Sequence, residues 1–291
     1  MWFEPMSHPQ GFLEIGDRSR RLFQHAPARV AQWAEALLGF TADLFHGRVE
    51  GFQPCDTAFH NFEHTVDATV TVLDLLAAHR EKPQFAPLQE SDWLLCFASA
   101  LFHDTGYLKR TGDFDGSGAK YGAIHVGRSC FVAWDFLPRF GFLADDLRQI
   151  QNAICATSVS RRTNQLTFRD RREWLIAAIV ATGDMLGQVA AADYPERLPS
   201  LYLEFCEASA FSRFRNSTGA YRNLLDLLRK TERFVYRYVL PTLETEWGGV
   251  YRLLDDGAGR NVYLERMRLN IDRINTMARL LADGDSDAAA R

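Results

Sequence analysis

Three short stretches of the chain carry side chains that could do chemistry together. The first is Phe59-His60-Asn61-Phe62-Glu63-His64-Thr65. If the chain is helical from about residue 60, His60 and His64 share one face, a turn apart. Two imidazoles so placed can serve one metal ion or divide into a ligand and an acid; the plain alternative is two polar histidines on a helix surface. The second is His103-Asp104, directly after the apolar run 94–102. Adjacent ionisable groups at the end of a buried helix need partners, because unpaired buried polar groups are costly. A divalent cation held by imidazole nitrogen and carboxylate oxygen would supply one; a solvated pair in a C-terminal turn is the alternative. The third is Asp184. Val180 and Ile176 lie four and eight residues before it, on its own helix face, and no Lys or Arg occurs between 173 and 196. A carboxylate continuing an apolar face either binds a cation or sits at an exposed helix end.

Other side chains stand near these in sequence. Between Thr105 and Gly127 the chain is rich in glycine (Gly106, Gly112, Gly116, Gly118, Gly122). It reads either as a mobile cover over a site or as a surface connection between helices. Asp113, Asp115, Ser117 and Gly118 imitate the start of a calcium loop, but Ile124 occupies the twelfth position where a Glu is needed, so that motif is rejected. His125 opens the helix-like run that follows, as a polar helix start or as a contact to a metal or phosphate. Lys109, Arg110 and Arg128 could neutralise phosphate oxygens, although each alone reads better as solvated surface charge. The run Arg161, Arg162, Arg169, Arg171 and Arg172 reads as a solvated connection. Gln188, one turn after Asp184, is an ordinary polar position or a contact to a nucleobase.

The elements that must position these residues are helices. Apolar residues recur at helical intervals over 28–45, 61–79, 93–102, 123–137, 144–158, 172–190, 200–210, 220–247 and 261–282. Ser91 is a candidate N-cap for the third of these. No alternating strand pattern of useful length and no repeat occurs. The expectation is an all-α protein with one helical domain over 1–282 and a flexible C-terminal tail over 283–291.

Composition narrows the function classes. A formal net charge of −4 gives no bulk attraction to nucleic acid or anionic membrane. An anionic substrate must then be handled by a metal or a few arginines. The five cysteines are odd in number and form no CxxC pair, which fits buried reduced thiols better than disulfides or a structural zinc site. The opening Met1-Trp2-Phe3-Glu4-Pro5 lacks a basic region followed by a long apolar run, so no signal peptide is expected. No apolar stretch has membrane-spanning length. A cytoplasmic location is expected; the oligomeric state is not legible.

The order His64, then His103-Asp104, then Asp184 resembles the HD superfamily of helical, metal-dependent phosphohydrolases. His60-Asn61-x-x-His64-Thr65 is similar to the HNxxH signature of class I cyclic-nucleotide phosphodiesterases and related bacterial HD proteins. The resemblance covers residues 55–190, and 184–188 with 198–205 are similar to uncharacterised bacterial HD proteins. It implies an HD-domain helical bundle with additional N- and C-terminal helices. By this resemblance His64, His103, Asp104 and Asp184 are metal ligands. Asp104 could also bridge to a second metal and so take part in catalysis, and His60 protonates the leaving oxygen. The ion would be Zn, Mn, Fe, Mg, Co or Ni, activating a water for in-line attack on phosphorus. His125 is a candidate for a second metal or a phosphate, and Asn61, Lys109, Arg128 and Gln188 are candidate substrate contacts. The implied substrate is a small phosphodiester or a (cyclic) nucleotide. Two departures bear on the second metal. Tyr107 stands where those phosphodiesterases carry a further histidine, and only His125 lies between the HD pair and Asp184. The competing readings are an HD-fold di-iron oxygenase and a non-catalytic nucleotide-sensing or partner-binding module.

Overall fold

The apolar periodicities become helices, and among the described residues no strand forms, only one isolated antiparallel bridge between Phe52 and Arg110. The computed structural model describes residues 9–82, 84–159, 163–211 and 221–289. In chain order the helices are α1 (Pro9–Phe23), α2 (Ala28–Phe45), α3 (Phe62–Glu81), α4 (Glu90–Phe102), α5 (His125–Phe136) and α6 (Ala144–Ala156). They continue with α7 (Arg171–Ala190), α8 (Tyr194–Phe211), α9 (Leu224–Phe234), α10 (Leu240–Thr245) and α11 (Val262–Ala289). The protein is all-α.

Two helices are buried almost all round and form the centre. In α4, Cys96, Phe97, Ala98, Leu101 and Phe102 have no exposed surface; in α7 the same holds for Leu175, Ile176, Ala178, Ile179 and Leu186. Full burial of each large side chain favours folding by about 1.5–3 kcal/mol. The α7 helix packs on α3, α4, α6 and α11, so it has no solvent face, in keeping with its uniformly apolar sequence. Gly183 and Gly187 let α3 lie against it. A Cβ at Gly183 would stand 2.3 Å from Val72 Cγ2, and one at Gly187 would stand 2.7 Å from Thr71 Oγ1 and 2.9 Å from the Asp67 carbonyl oxygen.

Several boundaries differ from the expectation. Ser91 does not cap α4. Gln89 does, with the Asp92 carboxylate accepting from the Gln89 N–H at 2.9 Å in a reciprocal box. The span 220–247 is not one regular helix. Asn223 caps α9, and the chain then passes through a π turn (Val235–Val239) into α10. Pro241 explains the slip: its ring has no N–H and excludes the carbonyl one turn back, and the Leu240 N–H bonds to Val235 instead. The α8 helix starts at Tyr194, earlier than 200, and carries Pro199 inside it. The backbone of α11 runs on to Ala289, through most of the stretch expected to be a tail. All five cysteines are free. Cys96, Cys130 and Cys155 are buried and Cys55 is half-buried, but Cys206 is exposed, against the expectation of buried thiols. Among the described residues no single helix is long and apolar enough to cross a membrane; α7 and α8 pass by length and composition only as a pair bent by 110°.

Candidate metal centre

The site begins with a helix start. Asn61 caps α3: its Oδ1 accepts from the His64 N–H at 3.1 Å, while its amide donates to the Ala58 carbonyl at 3.2 Å. The helix therefore begins at Phe62, and His60 lies in the turn before it rather than on it. The two histidines part company for that reason. His64 is buried in the first turn of α3, against α4 and α7, whereas His60 is held by α8. Asn61 is spent on the backbone at both ends, which removes it as a substrate contact.

His64, His103, Asp104 and Asp184 converge. His64 Nε2 is 3.3 Å from His103 Nε2, 3.3 Å from Asp104 Oδ2 and 3.2 Å from Asp184 Oδ1. His103 Nε2 is 3.3 Å from Asp104 Oδ2 and 3.4 Å from Asp184 Oδ1. These are two nearly equilateral triangles sharing the His64–His103 edge. A point just out of the plane of a triangle with about 3.3 Å edges is about 2.0–2.3 Å from each corner, the length of a bond from Zn²⁺ to nitrogen or oxygen. His64, His103 and Asp104 are buried, and the Asp184 side chain is 14% exposed, open on one side to a cavity.

The orientation of His103 and the state of Asp104 fit a cation. His103 Nδ1 is 2.7 Å from the Ala100 carbonyl, one turn back on α4, so Nδ1 carries the proton and the Nε2 lone pair points at the cluster. Asp104 Oδ2 is buried and accepts no hydrogen bond, although two imidazole nitrogens stand beside it. A buried carboxylate oxygen without a donor is unstable unless a cation sits in its lone pairs. Burial alone would push the imidazoles of His64 and His103 toward neutrality. Asp104 and Asp184 outweigh it and hold both above the usual histidine value, His103 well above. Burial likewise raises the two carboxyls, but the imidazoles overcome it and hold both below the usual range. In the bare chain protons bind this cluster together; one divalent ion could replace them.

Beside the cluster stands a stack of three rings. Tyr107 lies between His60 and His125, with centroid separations of 4.5 and 4.4 Å and interplanar angles of 12° and 20°. His125 Nδ1 is 2.7 Å from the Gly122 carbonyl, and its Nε2 is 3.7 Å from Asp104 Oδ1. Burial holds the His125 pKa down, leaving a neutral imidazole facing the second oxygen of Asp104. Among the described residues only His64, His103 and Asp104 form a mutually close group of three such donors, with Asp184 completing it through the two imidazoles. For a second ion the described residues offer His125 Nε2, 3.7 Å from Asp104 Oδ1.

The glycine-rich segment is packed at 105–109 and 118–119 and exposed over most of 110–116. It folds into two 3-10 turns, Thr105–Tyr107 and Gly118–Tyr121. Gly106 lies so close to α5 that a Cβ would stand 1.9 Å from the His125 carbonyl oxygen. The cations expected to meet substrate clamp this segment instead. Lys109 is buried, 2.8 Å from Asp56 Oδ2 and donating to the Gly116 carbonyl at 2.7 Å. Arg128 donates to the carbonyls of Gly106 and Leu108 at 2.6 and 2.8 Å, its guanidinium 3.5 Å from the Tyr121 ring centre. Arg110 lies over Phe52. Of the basic run, Arg172 pairs with Asp92 and Arg169 with Glu173, so neither is simply solvated; Arg161 and Arg162 lie outside the described residues. Gln188 does line the cavity, near Tyr194.

Sequence reasoning missed Glu204. This buried α8 carboxylate accepts from the Phe59 N–H at 2.6 Å and from the His60 N–H at 3.3 Å, and its Oε2 is 2.5 Å from His60 Nδ1. A carboxylate only accepts, so Nδ1 carries the proton and the opposite ring nitrogen is left for other work. The available signal was weaker than for Asp184: an acid three residues after buried Leu201, on a helix that also carries Glu196 and Glu207. No family model matches the sequence and no curated protein matches it, so the reading of this site rests on its geometry.

Proposed function

We propose that the chain is a metal-dependent phosphohydrolase of the HD superfamily, acting on a phosphoester at the centre formed by His64, His103, Asp104 and Asp184. The observation that carries the reading is the convergence of these side chains, from α3, the end of α4 and α7: His64, His103 and Asp104 are mutually close enough for one ion, and Asp184 lies 3.2 and 3.4 Å from the two imidazoles. A bound divalent cation supplies Lewis acidity to phosphoryl oxygens and makes nearby water more acidic.

The chain's own groups do the rest. Helices α3, α4 and α7 hold the donors rigidly through a dry core, so little reorganisation is needed. His60, oriented by Glu204 through Nδ1, presents Nε2 in the cavity and holds the proton for the leaving oxygen. Tyr107 keeps the His60 and His125 rings parallel, and His125 turns a lone pair toward Asp104. The scarcity of donors beside His125 favours one tightly held ion over a di-iron oxygenase centre.

Metal analysis combined with a hydrolysis panel tests the proposal. Protein reconstituted with manganese, zinc or iron is expected to bind one ion tightly and to turn over phosphoesters. Two irons with oxygen uptake, or stoichiometric metal without turnover of any phosphoester, would overturn it.

A further inference from the structure

The metal centre opens into a cavity of about 510 Å³, within the range of small-molecule sites. His60, His64, Asp104, His125 and Asp184 stand at one end of it. Away from them the wall is apolar, built from Leu198 and Leu201 of α8, Leu227 and Phe234 of α9 and Val239 of the π turn, with the partly exposed Phe205 beside them.

Among the described residues no Lys or Arg lines this cavity. The cations around it are committed elsewhere: Lys109 and Arg128 to the glycine-rich segment, and Arg197 to Asp67 at 2.8 Å and the Phe59 carbonyl at 3.2 Å. Two of the hydroxyls along the cavity are engaged: Thr157 and Thr231 each donate to a carbonyl of their own helix at 2.9 Å. A nucleotide carries heteroatoms over its whole body, and most would lose water here without gaining a partner.

Resting on the phosphohydrolase reading, we infer that the substrate is a phosphoester of a hydrocarbon alcohol, with a single phosphoryl group at the metal centre and its apolar chain or ring system between α8 and α9. Hydrolysis forms a phosphorus–oxygen bond from water, breaks the one to the alcohol and returns a proton to the alcohol oxygen. No reactant beyond water is needed.

The test is calorimetric titration of the manganese-loaded protein with n-alkylphosphonates of increasing chain length, which bind without turning over. Affinity is expected to rise roughly fourfold per methylene, the worth of burying one such group, until the cavity is full. Adenosine monophosphate should bind no better than methylphosphonate. Phe205→Glu, checked for folding by circular dichroism, should flatten the gradient, and Leu201→Ala should move its end to longer chains. A flat series, or tighter binding of the nucleotide, would overturn the inference. A clear gradient without hydrolysis of any alkyl phosphoester would keep the apolar ligand and remove the phosphohydrolase reading. Turnover of nucleotides with a flat alkyl series would do the reverse.

Discussion

Gly183→Ala adds one methyl group where α3 and α7 touch, one residue from Asp184. Its carbon would lie 2.3 Å from Val72 Cγ2, 3.1 Å from the Ala68 carbonyl oxygen and 3.2 Å from the Val72 nitrogen. Ordinary carbon contacts need about 3.5–4.0 Å, and a valine in a helix has one strongly preferred rotamer. Most of the relief must therefore come from moving α3 away by about 1 Å. Overpacking of this kind costs about 1–3 kcal/mol, while replacing a helical glycine by alanine returns about 1 kcal/mol. Global stability should fall by only about 0–2 kcal/mol. The proposed metal centre would be far less tolerant. His64 and Asp184 face each other across this same contact with donor atoms 3.2 Å apart, and a shift of that size carries one of them out of bonding range. Metal affinity should fall about 10–100-fold, as when the support of a ligand is lost. The assay is calorimetric metal titration beside thermal unfolding of the metal-free protein. Adding Val72→Ala removes the nearest clash but leaves the backbone contacts, so it should restore affinity only in part. Undiminished affinity in Gly183→Ala, with unfolding unchanged, would refute the argument that the α3–α7 spacing sets the site.

The two histidines should separate binding from turnover. His64→Ala is expected to lose metal and activity together. His60→Ala should keep its metal and slow turnover by roughly 10²–10⁴-fold, with a smaller defect on nitrophenyl esters, whose oxygen leaves without a proton; equal defects on both substrate types would remove His60 from the acid role. Glu204→Gln should lower turnover within that same rough range of 10²–10⁴-fold, again with metal content intact. Full activity in that variant would show that Glu204 does not position His60. Asp184→Ala should sharply reduce metal content, as measured by elemental analysis, because it removes a charged ligand. Away from the site, burial would raise the Glu173 carboxyl, but its bonds from Arg148 and from the Arg169 backbone outweigh this and hold it below the usual range. Its stabilisation is therefore present above the unfolded value and lost as pH falls through the folded one. Glu173→Gln should lower the melting temperature at pH 7, with the difference closing in acid, and a difference constant with pH would count against this.

By itself the sequence determined the class of fold and singled out the four side chains, His64, His103, Asp104 and Asp184, that the structure brings together. The helical period survives in nearly every element because an apolar stripe specifies both the helix and the face that it buries. His103-Asp104 and Asp184 stood out because each is an ionisable group continuing a fully apolar surface, a local conflict that burial makes expensive. Boundaries were less legible: the capping box at Gln89 and the π turn before Pro241 depend on backbone hydrogen bonds that weak local signals describe poorly. What only the tertiary structure decided is which groups meet. Glu204 reaches His60 from 144 residues away, and nothing in the spacing of either residue encodes that approach. Lys109 and Arg128 look like phosphate ligands by type, yet the packing of the 105–127 segment consumes them. Of the glycines in that segment, read as either a mobile cover or a surface connection, Gly106 and Gly118 serve as permission for backbones to touch. Distance between side chains remote in sequence is set by the sum of many packing contacts, so it becomes visible only when the helices are in place.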